Sequence, residues 1–220
     1  MSRSLPRKID MVNPENGVSL YLELPTIFLA ALFGAAYFST RGMSSLGSLG
    51  AGMAIGLGGG ILRDVVLNIE PAAFSNWYFV PVALAGALIG GVLRTRVPGS
   101  KSAGLLRSVI VALLLIVGLE KAYQFGNPII SVVLIGILTA VGGTVLVGLL
   151  TGVDLLANAG GAYLVFSLLL ASTVFLLVAS TGHTVAAEVA GGLVFVIVRM
   201  TGANRGWTVH QLPGELPAQS

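Results

Sequence analysis

The chain of 220 residues is 55% hydrophobic and only 10% charged, with a mean hydropathy of +0.93 and a formal net charge of +3. A soluble domain carries roughly 45–50% apolar residues, so this composition excludes a water-soluble globular protein and points to a bilayer. The absence of cysteine removes disulfides, thiolate metal sites and thiol nucleophiles. The basic excess reads as loop residues held in the cytoplasm, not as a nucleic-acid surface.

Residues 1–20 form a polar N-terminal tail carrying Arg3, Arg7 and Lys8. No short apolar core with a small-residue cleavage site follows, so the tail is expected to be retained. Residues 21–200 read as a single transmembrane domain of seven spans, about Leu22–Phe38, Leu46–Leu67, Trp77–Leu93, Leu106–Tyr123, Ile129–Leu150, Gly160–Ala179 and His183–Met200. A helix needs about 20 apolar residues to cross the hydrocarbon. Backbone polar groups find no water there, and nothing alternates with a period of two, so an all-α membrane protein is predicted and not a barrel. Residues 201–220, with Pro213 and Pro217, are expected to be a disordered polar tail.

An odd number of spans puts the termini on opposite faces. Arg41, Arg94, Arg96, Lys101, Arg107, Arg199 and Arg205 fall on the C-terminal side, against Arg3, Arg7, Lys8, Arg63 and Lys121 on the other. The positive-inside rule therefore predicts an outside N-terminus and a cytoplasmic C-terminus.

The glycines repeat. A shift of 84 residues, the separation of Gly58 from Gly142, also lays Gly34 on Gly118, Gly42 on Gly126, Gly52 on Gly136 and Gly59 on Gly143, with Glu70 on Asp154. Such register implies an internal duplication: repeat one at about 21–96, repeat two at about 105–180, and a seventh helix at about 183–200. A unit of three spans starts on one face and ends on the other, so its second copy must run inverted. Inverted repeats place a binding or permeation path between their glycine-interrupted helices.

Glycine costs about 1 kcal/mol relative to alanine inside a helix, so Gly58, Gly59 and Gly60 should kink or partly unwind the second span. Gly142 and Gly143 should do the same to the fifth, where Thr144 adds a hydroxyl. Two softened helices could frame a narrow polar passage. Gly52, Gly56, Gly86 and Gly90 read instead as positions where helices pack closely.

Ionisable groups in hydrocarbon are functional candidates by default. Arg63, Asp64, Glu120, Lys121 and Glu188 are such groups, and the same spans hold hydroxyls such as Ser45. Arg63 could alternatively snorkel to the headgroups. Adjacent helical residues point about 100° apart, so Arg63 and Asp64 are expected to have different partners. Arg63 or Lys121 should lie near the pathway and Asp64 or Glu120 tie helices together; ion pairs that merely hold helices together fit each equally well, and Glu188 could instead cap Thr184. Catalysis has little support: His183 and His210 are isolated, no residues have metal-ligand spacing, and no phosphate-cradling GxxxxGK[ST] motif is present. No cofactor is expected.

The segments LGGGILRDVVLNIEP (Leu57–Pro71), VGGTVLVGLLTG (Val141–Gly152) and EKAYQFG (Glu120–Gly126), with the seventh span, resemble the trimeric intracellular cation (TRIC) channels in a prokaryotic version. The resemblance covers roughly Leu22 to Met200 and implies a homotrimer in a prokaryotic cell membrane, with a pore in each subunit passing K⁺ and, less selectively, Na⁺. It also implies that the kinked second and fifth helices line the pore through Gly58, Gly59, Gly60, Gly142 and Gly143. Arg63 and Asp64 match the first-copy motif, whereas the second copy has Val147 and Gly148 there. A sister family of proposed glycine transporters commonly keeps both charged motifs and lacks the seventh span. Animal TRIC channels bind acidic phosphoinositide through a basic motif near the fourth span; Arg107 and Lys121 fall in that region without reproducing it. The reading is a passive cation channel whose selectivity comes from carbonyls, hydroxyls such as Ser45 and Thr144, and water; a small-solute carrier or a purely structural membrane protein are the alternatives.

Overall fold

The computed structural model describes residues 20–93, 101–153 and 161–204, and within them eight helices and no strand. They are α1 (Leu20–Thr40), α2 (Ser45–Val66), α3 (Ala72–Ser75), α4 (Phe79–Val92), α5 (Lys101–Gln124), α6 (Ile129–Thr151), α7 (Gly161–Ala179) and α8 (Thr184–Asn204). Residues 1–19 and 205–220, with Arg94, Arg96 and Asp154, lie outside the described residues, while Thr201–Asn204, expected to open the polar tail, continue α8.

Each expected span contains a helix, and α3 is an addition. Four segments are long and apolar enough to cross a membrane: α1, α2, α6 and Thr184–Gly202 of α8. Their outward faces carry Leu134, Leu149, Leu193 and Ile197, all more than half exposed, as lipid-facing side chains would be. The protein is a multi-pass α-helical membrane protein. The third span is shorter than expected, because the chain first makes α3 and then leaves only 14 residues, about 21 Å of rise, for α4.

Local sequence explains where the helices stop. The Ser44 hydroxyl caps α2 by accepting the Gly47 N–H at 3.2 Å. At the far end of α2, Asn68 takes a left-handed φ of 55°, its N–H bonds the Val65 carbonyl, and the Ile69 N–H reaches back to Asp64. This is a Schellman stop, and it ends α2 just after its Arg–Asp pair.

Two apolar cores result. In one, Ala31 and Ala35 of α1 meet Phe79, Ala83 and Ala87 of α4. In the other, Leu115 and Leu119 of α5, Val132 of α6, Leu168 and Phe175 of α7 and Phe195 of α8 pack together. A third, smaller cluster of Phe38, Ala51 and Val147 lies where α1, α2 and α6 meet.

The glycines carry the same contacts in both halves. A Cβ on Gly34 would lie 3.1 Å from the Gly52 Cα, and one on Gly118 would lie 3.0 Å from the Gly136 Cα. Gly52 sits against Ala31 and Ala35; its counterpart Gly136 sits against Leu115 and Leu119, the residues 84 positions further on. Gly86 and Gly90 seat α4 on the Phe28 and Leu32 carbonyls of α1, and Gly56 packs on Ile27 and Ala31. Small residues thus let backbones touch in lipid, where no hydrophobic force drives helices together.

Candidate functional site

The closest approach between the halves is where α2 crosses α6, at glycines of both helices. A Cβ on Gly58 would stand 3.1 Å from the Gly143 Cα, and one on Gly142 would stand 3.5 Å from the Gly59 Cα. A methyl on Gly59 would fall on the Thr139 carbonyl, and one on Gly143 on the Ile55 carbonyl. Gly58 also faces Leu146, and Gly142 faces Leu62. In every pair the partners exchange roles under the shift of 84 residues. That reciprocity is the signature of a two-fold contact.

The expected unwinding does not occur. Helix α2 runs unbroken through Gly58, Gly59 and Gly60, and α6 runs unbroken through Gly142, Gly143 and Thr144. Glycine's intrinsic cost is small beside that of leaving backbone groups unpaired in lipid, so the helix persists and the missing side chains serve contact instead. Gly60 stands apart from the crossing: its nearest outside neighbour is Arg63 Nη2, 3.9 Å from where a Cβ would be.

At the end where α1 and α8 begin and α2 and α5 finish, charges converge. The Arg63 guanidinium donates from Nη2 to Glu23 Oε1 at 2.5 Å and from Nε to Asp64 Oδ1 at 2.8 Å. Lys121 Nζ stands 3.0 Å from the same Asp64 oxygen. The other Asp64 oxygen accepts the Ala72 N–H at 3.0 Å, pinning the start of α3. Gln124 donates to Glu120 at 2.8 Å, and Glu188 sits near the start of α8 at the same end. Arg63 Nη1, Glu120 Oε2 and Glu188 Oε1 are buried without a partner among the described residues.

This corrects the expectation that Arg63 and Asp64 point to different partners. The long arginine stem folds back along α2, so the two neighbours pair with each other as well as with separate helices. Arg63 does not snorkel; it is 1% exposed. Glu23, an acid inside the first span, was overlooked although the rule that selected Asp64 selects it equally.

At the opposite end lies a cavity of about 80 Å³ between α1, α2, α5, α6, α7 and α8. Its polar lining is Tyr37, Arg107, Ser108, Thr144 and Arg199, over an apolar wall that includes Phe33, Ile55 and Leu114. Of the glycines, hydroxyls and charges expected from sequence to line or gate a pore, Thr144 alone is in this lining. Ser45 is exposed at the first residue of α2, outside that lining, and His183 is exposed beside Thr181. Arg107 and Arg199 read in the sequence as loop charges; their positions in the first two turns of α5 and the last two of α8 were the available signal.

Known proteins share this arrangement. A sequence model of the family described as "Glycine transporter" matches residues 20–95. Among solved structures, one concerned with conductance through TRIC cation channels is 24% identical, with 90% of this chain and 99% of that chain covered at a TM-score of 0.77. A TRIC trimeric intracellular cation channel orthologue from Rhodobacter sphaeroides is 25% identical, covering 86% of this chain and 99% of that one at a TM-score of 0.73. A prokaryotic TRIC channel in 0.5 M KCl is 17% identical, with coverage of 84% and 95% and a TM-score of 0.73. The multi-pass helical fold described above is therefore that of the TRIC cation channels, as the glycine motifs suggested.

Proposed function

We propose that the protein is a cation channel that conducts K⁺, and less selectively Na⁺, down its gradient, without catalysis or a cofactor. Two inverted three-helix repeats and a seventh helix make up the subunit, and the passage runs between the repeats, beside the glycine crossing. The cavity with Thr144 and Arg107 is one vestibule. The network of Glu23, Arg63, Asp64 and Lys121 closes the other end.

One observation carries this reading: vestibule and network occupy equivalent positions under the 84-residue repeat. Glu23 corresponds to Arg107, Lys121 to Tyr37, and Gly60, which looks onto the Arg63 guanidinium, to Thr144. One end of a symmetric cleft is hollow while its counterpart is filled by ion-paired side chains. Such side chains can move apart without breaking a helix, which suits a gate. Arginines at the vestibule set an electrostatic barrier to cations. The likeness to TRIC channels supports the same function and a homotrimer; the apolar outer face fits lipid in a prokaryotic inner membrane, and the loop charges favour an outside N-terminus.

Full-length protein in planar bilayers should give discrete unitary currents whose reversal potential follows the K⁺ gradient. Arg107→Gln should raise unitary K⁺ conductance by removing part of the barrier; unchanged conductance would take the cavity off the path. The match to the glycine-transporter family over residues 20–95 keeps a carrier as the second reading. Saturable glycine uptake without unitary currents would establish the carrier in place of the channel.

A further inference from the structure

The link between α2 and α4 turns its aromatic side chains outward. Phe74 of α3 is 71% exposed, and Trp77, between α3 and α4, is 83% exposed. Helix register fixes their depth. Gly86 and Gly90 of α4 meet the carbonyls of Phe28 and Leu32 on α1, an offset of 58 residues at both contacts, so the two helices run parallel and Phe79, the first residue of α4, stands level with Tyr21. Tyr21 is 89% exposed, and two residues on, Glu23 holds Arg63. An outward aromatic rim thus stands at the depth of the inward ion-paired network.

The rim goes round the bundle. Four of the five exposed aromatic residues among the described ones, Tyr21, Phe74, Trp77 and Tyr123, belong to this end, and exposed Ile130 of α6 and Val185 of α8 accompany them. A second copy of the chain covers one face of a bundle, whereas a bilayer boundary surrounds it. The chemistry agrees. Indole and phenol rings pair an apolar body with a polar N–H or O–H, so they settle where acyl chains meet the ester and phosphate oxygens that accept those hydrogens. Neither the Trp77 indole nor the Tyr21 hydroxyl is hydrogen-bonded among the described residues.

We propose that Tyr21, Phe74 and Trp77 form an interfacial lipid-binding surface, with the Trp77 indole in the ester layer of the bilayer. This surface requires the multi-pass membrane fold and not ion conduction. It is also tied to the charged network, because the Asp64 oxygen that Arg63 and Lys121 leave open accepts the Ala72 N–H at 3.0 Å, and Ala72 opens the short helix that carries Phe74. The lipid boundary thereby holds one end of the network at a fixed depth.

Trp77 is its own reporter. The chain has a second tryptophan, Trp207, and Trp207→Phe leaves Trp77 alone. Full-length protein with that change, reconstituted in phosphatidylcholine vesicles, should emit at shorter wavelength than tryptophan in water and lose most of its intensity to bromine placed near the carbonyl end of the acyl chains. Bromine near the methyl ends and aqueous iodide should each quench less. Strongest quenching by iodide would make the link an aqueous loop, strongest quenching by methyl-end bromine would bury it in hydrocarbon, and resistance to all three would place a second copy or another segment over it; each overturns the proposal. If the Trp207→Phe protein does not fold, the native spectrum minus that of Trp77→Phe gives the same reading. No ion flux enters the measurement, so its outcome is separate from that of the channel recordings.

Discussion

At one end of the bundle Glu23, Arg63, Asp64 and Lys121 close on one another. At the other, the residues 84 positions away are Arg107, Val147, Gly148 and Tyr37, and a cavity of about 80 Å³ remains. The backbone contacts around both ends are alike, for Gly34 meets Gly52 as Gly118 meets Gly136. The difference lies in side chains: Val147 turns into the apolar contact with Phe38 and Ala51, and Gly148 offers no side chain. Glycine-mediated packing therefore sets the framework, and a few charged side chains decide whether an end of the cleft is filled or hollow.

The third helix of each half shows a second divergence. Helix α4 lies along α1 and α2, seated by Gly86 and Gly90. The equivalent positions on α7 are Leu170 and Val174, and α7 lies instead along α8, which in turn lies on α5. Gly191 of α8 supplies the close contact there, against Phe175 and Ile116.

The largest expected effect comes from breaking the closed end. Arg63→Ala leaves Glu23 and Asp64 buried without their shared cation, and removal of one partner from a buried network costs about 3–5 kcal/mol. Thermal unfolding in lipid or detergent should register this as a large fall in midpoint. Lys121→Gln should cost only about 1 kcal/mol, because the Lys121 side chain is 18% exposed and Asp64 keeps Arg63 and the Ala72 N–H. Equal losses for the two would mean that Arg63 is not the centre of the network.

The crossing should be next in sensitivity, and here the halves should behave alike. Gly59→Ala and Gly143→Ala each drive a methyl onto a carbonyl of the facing helix, and overpacking of that kind costs about 1–3 kcal/mol. Gly60→Ala meets only ordinary van der Waals contact with Arg63 Nη2, 3.9 Å away, and should stabilise α2 by up to about 1 kcal/mol. Measured side by side, three variants within one sequence motif would separate contact from propensity. Loss of stability with Gly60→Ala would contradict the geometry.

The same motif shows what could be read from the chain unaided. The repeat was legible because a glycine kept at a fixed spacing records a place where backbones touch, and that requirement survives duplication. Of its two expected consequences, a kink or a partial unwinding, the unwinding does not occur: in lipid a helix has no alternative partner for its N–H groups, so the helix runs on through the glycines. The pairing of Arg63 with Asp64 was hidden by treating side chains as rigid spokes, although a guanidinium on a long stem can reach its own neighbour. Arg107 and Arg199 were hidden by their place near helix ends, where a basic residue ordinarily reports topology. Helix α3, four residues long, has too little pattern to detect.

Smaller effects should follow at the helix stops, where the halves again correspond. Asn68 and Gly152, 84 residues apart, both adopt left-handed backbone, with φ of 55° and 70°. An L-residue other than Asn or Asp pays about 1–2 kcal/mol there, so Gly152→Ala should lower the unfolding free energy by that much, whereas Asn68→Gly should be nearly neutral.

Smallest of all should be Ser45→Ala. The hydroxyl was expected in a passage, but the residue is exposed at the first turn of α2, and the cap of that helix is supplied by Ser44. A surface position away from any cap or core changes stability by no more than about 0.5 kcal/mol. Its counterpart 84 residues on is Ile129, also exposed at the first residue of its helix, so the duplication itself tolerates an aliphatic side chain there. Thr144→Val, by contrast, removes a hydroxyl from the cavity wall and should alter unitary conductance with little change in unfolding. A conductance change from Ser45→Ala with none from Thr144→Val would move the passage away from the cavity and toward the opening turn of α2.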